Sequence, residues 1–116
     1  MQVVIKKPNQ DPEIVKIKNS LGEFQKIVGG IIQIVRFCDL WNGESIHLIC
    51  DDEGKIKGSA PNILWKERGD ILYGNLIFVG QKKDKLGSFT ESQINYIFGY
   101  SKFYEIKEDE KCLVKN

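Results

Sequence analysis

The stretch DDEGKIKGSAPN, residues 51–62, gathers three carboxylates, two lysines and two glycines into one short segment. Such a composition can hold a cation, cradle a phosphate or simply turn the chain. A calcium loop of the EF-hand type needs oxygen ligands at alternate positions, a glycine sixth and a glutamate twelfth. Here Gly54 stands fourth and Asn62 twelfth, and the carboxylates are consecutive, so an extended backbone points them apart. A P-loop needs an earlier glycine and a hydroxyl directly after its Gly-Lys pair. Gly54-Lys55 has neither. Asp and Gly are what tight turns require. The spacing therefore predicts a hairpin, with a strand over 46–50, a turn over 51–54 and a return over 55–57. On that return strand Lys55 and Lys57 share a face and could meet one anion together.

Nucleophilic chemistry has few candidates. His47 is the only histidine, and Cys38, Cys50 and Cys112 are the only thiols. A Cys-His pair needs both side chains on one face with an orienting group behind the base. His47 and Cys50 are three apart in a strand, so alternation separates them. Cys38 meets His47 only if a hairpin brings it across. The sequence carries no G-x-S-x-G, H-E-x-x-H or paired-carboxylate motif. The expectation is a non-enzymatic protein with no catalytic residue, no metal and no cofactor.

Binding chemistry has more. Trp41 and Trp65 lie in or beside loops, where an indole can stack on a base. Arg36, Lys66, Arg68 and the KKDK run at 82–85 could meet phosphates. Asn62, after a proline, can donate and accept through its amide. Arg36, Lys55, Lys57, Asn62 and Trp65 are the candidate ligand-binding residues. The tryptophans equally suit a core edge.

These side chains must be positioned by a fold that 116 residues can build, which means one domain. Hydrophobic residues make up 41% of the chain, enough for one core. Seventeen basic residues stand against sixteen acidic, for a net charge of +1. That balance gives no global pull toward nucleic acid or an anionic membrane. An odd number of widely spaced cysteines builds no disulfide framework, which fits a reducing compartment. No leader and no apolar span is evident, so the expected location is the cytoplasm.

QVVIK and EIVKIK, either side of the turn KPNQDP, read as an antiparallel hairpin over 2–6 and 13–18. Ser20 and Glu23 have capping-box spacing. Leu21, Phe24, Ile27 and Val28 follow on one helical face, and Gly29-Gly30 ends the helix. Residues 31–37 and 46–50 read as strands, joined through an Asn-Gly turn at 42–43. Residues 58–69 read as irregular with a turn of helix. The run 70–80 reads as one long strand with a bulge or close contact at Gly74, and 81–88 as a polar loop. Thr90 and Gln93 repeat the capping box. The helix behind them, 90–105, places Ile94, Ile97, Phe98 and Ser101 on its apolar face and is weakened by Gly99. The expected fold is α+β: a single domain over 1–105 and a charged tail over 106–116, in which CLV could add an edge strand. An antiparallel sheet of about four to six strands carries both short helices on one face. Exposed strand edges would favour a homo-oligomer.

The order of these features resembles an uncharacterised domain family of small proteins from bacteriophages, prophages and conjugative elements. The shared pattern is L-x-x-x-Q-K-x-V-G-G-x-I-x-x-V, met here by Leu21, Gln25, Lys26, Val28, Gly29, Gly30, Ile32 and Val35. E-G-K-x-x-G-x-x-x-N follows at Glu53, Gly54, Lys55, Gly58 and Asn62. Then come Gly69, Asp70, Gly74 and Gly80, and finally Phe89, Thr90 and Gln93. Ser59-Ala60-Pro61 and the extension after residue 105 depart from the pattern. The resemblance implies no reaction. It implies an accessory protein of a phage or mobile element that binds and blocks a bacterial defence component, either an immune effector protein or its nucleotide signal. The alternative is a nucleic-acid-binding regulator with a basic face of Lys55, Lys57, Lys82, Lys83 and Lys85.

Overall fold

The computed structural model describes residues 1–82 and 85–107 of the chain. Strands β1 (Gln2–Lys6) and β2 (Glu13–Lys16) form the expected hairpin, with Val3 opposite Val15. Helix α1 (Leu21–Val28) starts where the Ser20 hydroxyl accepts from the Glu23 amide at 3.3 Å. It stops at Gly29, whose φ of 83° is the left-handed conformation that a helix end demands and glycine adopts without strain. Phe24 and Val28 are buried, while Leu21, at the first turn, is exposed.

Strands β3 (Ile32–Asp39), β4 (Ser45–Asp51) and β7 (Leu76–Lys82) complete the main sheet with β1, in the order β2-β1-β7-β4-β3. A sixth strand, β8 (Lys85–Gly87), pairs with the end of β7. All its pairings are antiparallel. A second sheet of two strands, β5 (Pro61–Trp65) and β6 (Asp70–Tyr73), is joined by a 3₁₀ turn at Lys66–Arg68. Helix α2 (Glu91–Tyr104) closes the fold. Its capping box is complete: Thr90 Oγ1 accepts from the Gln93 amide at 3.3 Å, and the Thr90 amide donates to Gln93 Oε1 at 2.8 Å. The architecture is α+β.

Strand alternation splits the apolar residues between two faces. Val3, Ile5, Ile49, Ile77 and Val79 pack with Phe24 and Val28 of α1. Val4, Leu48, Phe78 and Leu76 pack with Ile63, Trp65 and Leu72 of the second sheet and Ile97 and Tyr100 of α2. The helices therefore lie on opposite faces of the main sheet, not on one. The central strands are apolar on both faces, which leaves each face needing its own cover.

Four further expectations are corrected. Residues 55–57 do not return along β4, whose two neighbours are β3 and β7. They lie in a series of turns, with the Lys57 amide donating to Glu53 O at 2.9 Å and Gly58 to Lys55 O at 3.2 Å. The run 70–80 is two strands in two sheets. Gly74 divides them at φ 76°, and its amide donates to Ala60 O at 2.8 Å. Residues 61–65 are strand rather than irregular, and 85–87 are strand rather than loop. The proposed strand of CLV lies outside the described residues, as does most of the charged tail.

The second sheet is tied to the first through a buried polar knot. Lys6 and Asn62 are both fully buried. Lys6 Nζ donates to Asn62 Oδ1 at 3.0 Å and to Lys7 O at 2.8 Å, and lies 3.5 Å from Glu105 Oε2. Asn62 Nδ2 donates to Lys6 O at 2.8 Å and to Gly74 O at 2.7 Å. The Asn62 carbonyl accepts from the Ile106 amide at 2.8 Å. Through its side chain Asn62 joins β1 to the crossing at Gly74, and through its backbone carbonyl it holds the chain beyond α2. Burial lowers the Lys6 pKa, against the pull of Glu105. Removing one partner of a buried, hydrogen-bonded charge leaves the others uncompensated. Asn62→Ala is expected to cost about 3 kcal/mol, seen as a lower urea midpoint at unchanged slope. A midpoint equal to that of the parent chain would contradict this role.

Candidate functional site

Aromatic residues recur along α2 at Tyr96, Tyr100, Phe103 and Tyr104, with Gly99 among them. Helical spacing sets these five positions in one stripe. Only part of the stripe is core. Tyr100 is buried and meets Phe37 edge-on at 5.1 Å between ring centroids. Tyr96 and Tyr104 flank it at 6.0 and 4.8 Å. Tyr96 is 37% exposed and Phe103 78% exposed. At Gly99 nothing lies within 4 Å of where a Cβ would stand. Gly99 lines an open cleft of about 710 Å³ between α2, the end of β3 and the 3₁₀ turn. Its walls also include Cys38, Asp39, Lys66, Glu67 and Asn95. That volume falls in the range of roughly 300–1,000 Å³ that small-molecule pockets occupy.

The cleft is held by the Tyr100 hydroxyl. It accepts from the Lys66 amide at 2.8 Å and reaches Leu64 O at 3.1 Å and Glu67 Oε2 at 3.4 Å. Burial pushes its phenol up to about 12. The Tyr96 phenol is also raised, by burial and then by Cys38. Burial pushes the Cys38 thiol up to about 11, although its contact with Tyr96 pulls the other way. At neutral pH the thiol is therefore protonated and a poor nucleophile. Lys66 Nζ stands 5.7 Å from the Tyr104 ring centroid, within cation–π reach. The cleft offers flat faces for stacking, an amide at Asn95, a carboxylate acceptor at Glu67 and an ammonium group at Lys66. These are the groups that hold a planar ring bearing N–H donors and a pendant anion.

The five residues singled out from the sequence do not converge. The Arg36 guanidinium lies 2.7 Å from Asp39 and donates to the Ser45 hydroxyl at 3.2 Å, on the exposed end of the β3–β4 pair. Ser45 and Arg36 together lower the Asp39 pKa. Lys55 is paired with Asp70 at 2.8 Å. Lys57 is paired with Asp51 at 2.8 Å and donates to Gly29 O at 3.2 Å, bracing the end of α1. Lys57 thus holds Asp51 of the acidic turn, while Lys55 reaches out of it to Asp70; both carboxylates sit below the usual range, held there first by Lys57 and Lys55. Asn62 is the centre of the buried knot. Trp65 is buried, stacked on Phe37 at 5.1 Å with the Arg68 guanidinium over its other side at 4.4 Å. Trp41, by contrast, is 96% exposed.

His47 stands opposite Arg36 on β4. Its neighbours Ile46, Leu48 and Cys50 belong to the α2 side, and a bulge between Arg36 and Cys38 turns Cys38 to that side too. The histidine therefore faces away from both thiols. Its pKa is lowered, by burial and then by Arg36. Among the described residues, no group of three or more His, Cys, Asp and Glu side chains is placed to hold a metal ion. No described helix is long and apolar enough to cross a membrane.

The aromatic stripe was open to sequence reasoning. Positions 96, 99, 100, 103 and 104 follow helical spacing, but Ile94, Ile97 and Phe98 compete for the apolar face. Phe98 is 37% exposed, whereas Gln93 and Tyr100 are buried with Ile97 and Ser101. Since no atom crowds Gly99, Gly99→Ala is expected to stabilise the fold by about 0.5–1 kcal/mol through helix propensity alone. A loss of stability in chemical denaturation would show that position 99 is packed, not open.

No curated protein and no solved structure matches this chain. Residues 1–102 match the family described as a domain of unknown function (DUF3846), which spans both sheets and nearly all of α2, and the chain belongs to that family.

Proposed function

We propose that this domain is a non-enzymatic binding protein that holds the ring of a nucleotide in the α2 cleft, and so sequesters a bacterial immune signal on behalf of a phage or mobile element. The observation that carries the binding reading is the aromatic stripe Tyr96, Tyr100, Phe103 and Tyr104 around the gap at Gly99. Protonated thiols and a histidine turned away from both cysteines support binding over catalysis. The counter-defence role rests on the resemblance of the sequence pattern to that of small proteins of phages, prophages and conjugative elements, and a cytoplasmic site of action in a bacterial host is part of the same proposal.

A second reading draws on Trp41 and Phe103, two large apolar side chains left in solvent. Exposed aromatics of this kind anchor protein interfaces, so the immune effector itself is the alternative target. The nucleic-acid regulator has less support. Arg36, Lys55 and Lys57 are each engaged by a carboxylate of the same chain, and residues 83 and 84 of the KKDK run lie outside the described residues.

Calorimetric titration with a panel of mononucleotides and cyclic nucleotides tests the proposal. At least one is expected to bind. Stacking on an aromatic side chain contributes about 1–3 kcal/mol per base, so Tyr96→Ala and Phe103→Ala should each weaken binding by about tenfold or more. Gly99→Leu puts a branched side chain between Tyr96 and Phe103, where the ring would lie, and should weaken binding while the far-UV circular dichroism is unchanged. No binding by any nucleotide, or undiminished binding by Gly99→Leu, would reject it.

A further inference from the structure

The two outer strands of the main sheet differ in how they treat their free edges. β2 is four residues long, follows Pro12, and exposes Glu13 and Lys16. Short length, charge and proline are the features that keep an edge from pairing. β3, at the other end, is eight residues long and contains no lysine or proline. Its Ile34 is 46% exposed, and Ile31 just before it is 62% exposed.

The backbone of β3 shows which groups are free. The Asp52 amide donates to Ile31 O at 2.9 Å. In an antiparallel ladder, hydrogen-bonded pairs alternate with non-bonded ones. The residues of β3 in step with Ile31, namely Gln33 and Val35, therefore bond to β4. Ile32, Ile34 and Arg36 direct their N–H and C=O groups outward. The bulge between Arg36 and Cys38 ends the regular ladder. The free edge is thus residues 32–36, with Ile34 at its middle.

We propose that this edge pairs with the same edge of a second copy, antiparallel, about a two-fold axis at Ile34. That register is self-complementary. Ile34 exchanges hydrogen bonds with its own counterpart, and Ile32 does so with Arg36. All three residues are outward-directed, so each free group on one copy meets a free group on the other. Ile32, Ile34 and Arg36 share one face by alternation, which sets the two half-exposed Ile34 side chains together and lays each Arg36 stem beside an Ile32. No like charges meet. Cys38 and Asp39, beyond the bulge, line the aromatic cleft. The dimer therefore carries one cleft at each end of the joined strands. The inference is independent of what the cleft binds.

Sedimentation equilibrium of the full chain at roughly 100 µM, where a micromolar contact is saturated, is expected to give twice the mass of one chain. Ile34→Lys puts a charge at the axis on an exposed position and should return the monomer with unchanged circular dichroism. Ile14→Lys on β2 should leave the dimer intact. Amide exchange supplies a readout free of substitutions: the Ile32, Ile34 and Arg36 amides should gain protection as concentration rises, while Gln33 and Val35 are protected throughout. A monomer at that concentration, a dimer that survives Ile34→Lys, a dimer lost only in Ile14→Lys, or concentration-independent exchange at those three amides would each overturn the proposal.

Discussion

A lysine ammonium group removed from water requires oxygens around it, and this requirement organises the molecule. Lys6 ends β1 with its Nζ wholly buried, held by Lys7 O, Asn62 Oδ1 and Glu105 Oε2. Burying such a charge without partners costs several kcal/mol. The three oxygens come from the residue after β1, from β5 and from the residue after α2. The charge is compensated only when all three segments are in place. Asn62 extends the constraint, because its amide nitrogen binds Lys6 O and Gly74 O together. The chain crosses between its two sheets at Gly74, so the knot fixes where the second sheet departs from the first. Glu105 feels burial, which would raise its pKa, but Lys107 and Lys6 outweigh it and hold the carboxylate in its charged form.

The cleft follows from this arrangement. With the second sheet anchored at Asn62 and Gly74, its far end, the 3₁₀ turn at Lys66–Arg68, lies beside α2. Tyr100 fastens it there by accepting from the Lys66 amide. Trp65, Phe37 and Tyr100 form a packed aromatic base. Tyr96 and Phe103 rise from the same helix into solvent, and the absence of a side chain at Gly99 leaves the gap between them. The bulge in β3 serves the same place, since it turns Cys38 to the α2 side, where alternation already sets Phe37. Rigid elements rather than mobile loops thus frame most of the site, which limits the conformational cost of holding a flat ligand.

Local signals in the sequence were faithful where the physics is local. Ser20 and the Thr90–Gln93 pair cap their helices as their spacing predicts, and Gly29 takes the left-handed conformation. What the sequence concealed depends on distant partners. Lys55 and Lys57 look available to an anion until Asp70 and Asp51 are seen to hold them. Asn62 looks like a loop residue because its burial is set by Lys6 and Gly74. The apolar run 70–80 hides a change of sheet, since strands buried in either sheet read alike and only Gly74 marks the break. The sequence does not separate the helices onto two faces, because apolar strands alone do not reveal that each face needs a cover. The Tyr96–Phe103 stripe was visible, yet it lay beside an equally apolar stripe, and only packing decides which one faces inward.

If the α2 cleft holds a small nucleotide in the cell, that nucleotide should leave the cell with the protein. Native mass spectrometry of the protein produced in and purified from bacterial cells, with and without phage infection, tests this when the Tyr96→Ala chain is prepared in parallel. A bound nucleotide mass is expected on the parent chain and is expected to be absent from Tyr96→Ala. A bare polypeptide mass from both chains, with a protein or nucleic acid retained instead on pull-down, would contradict it.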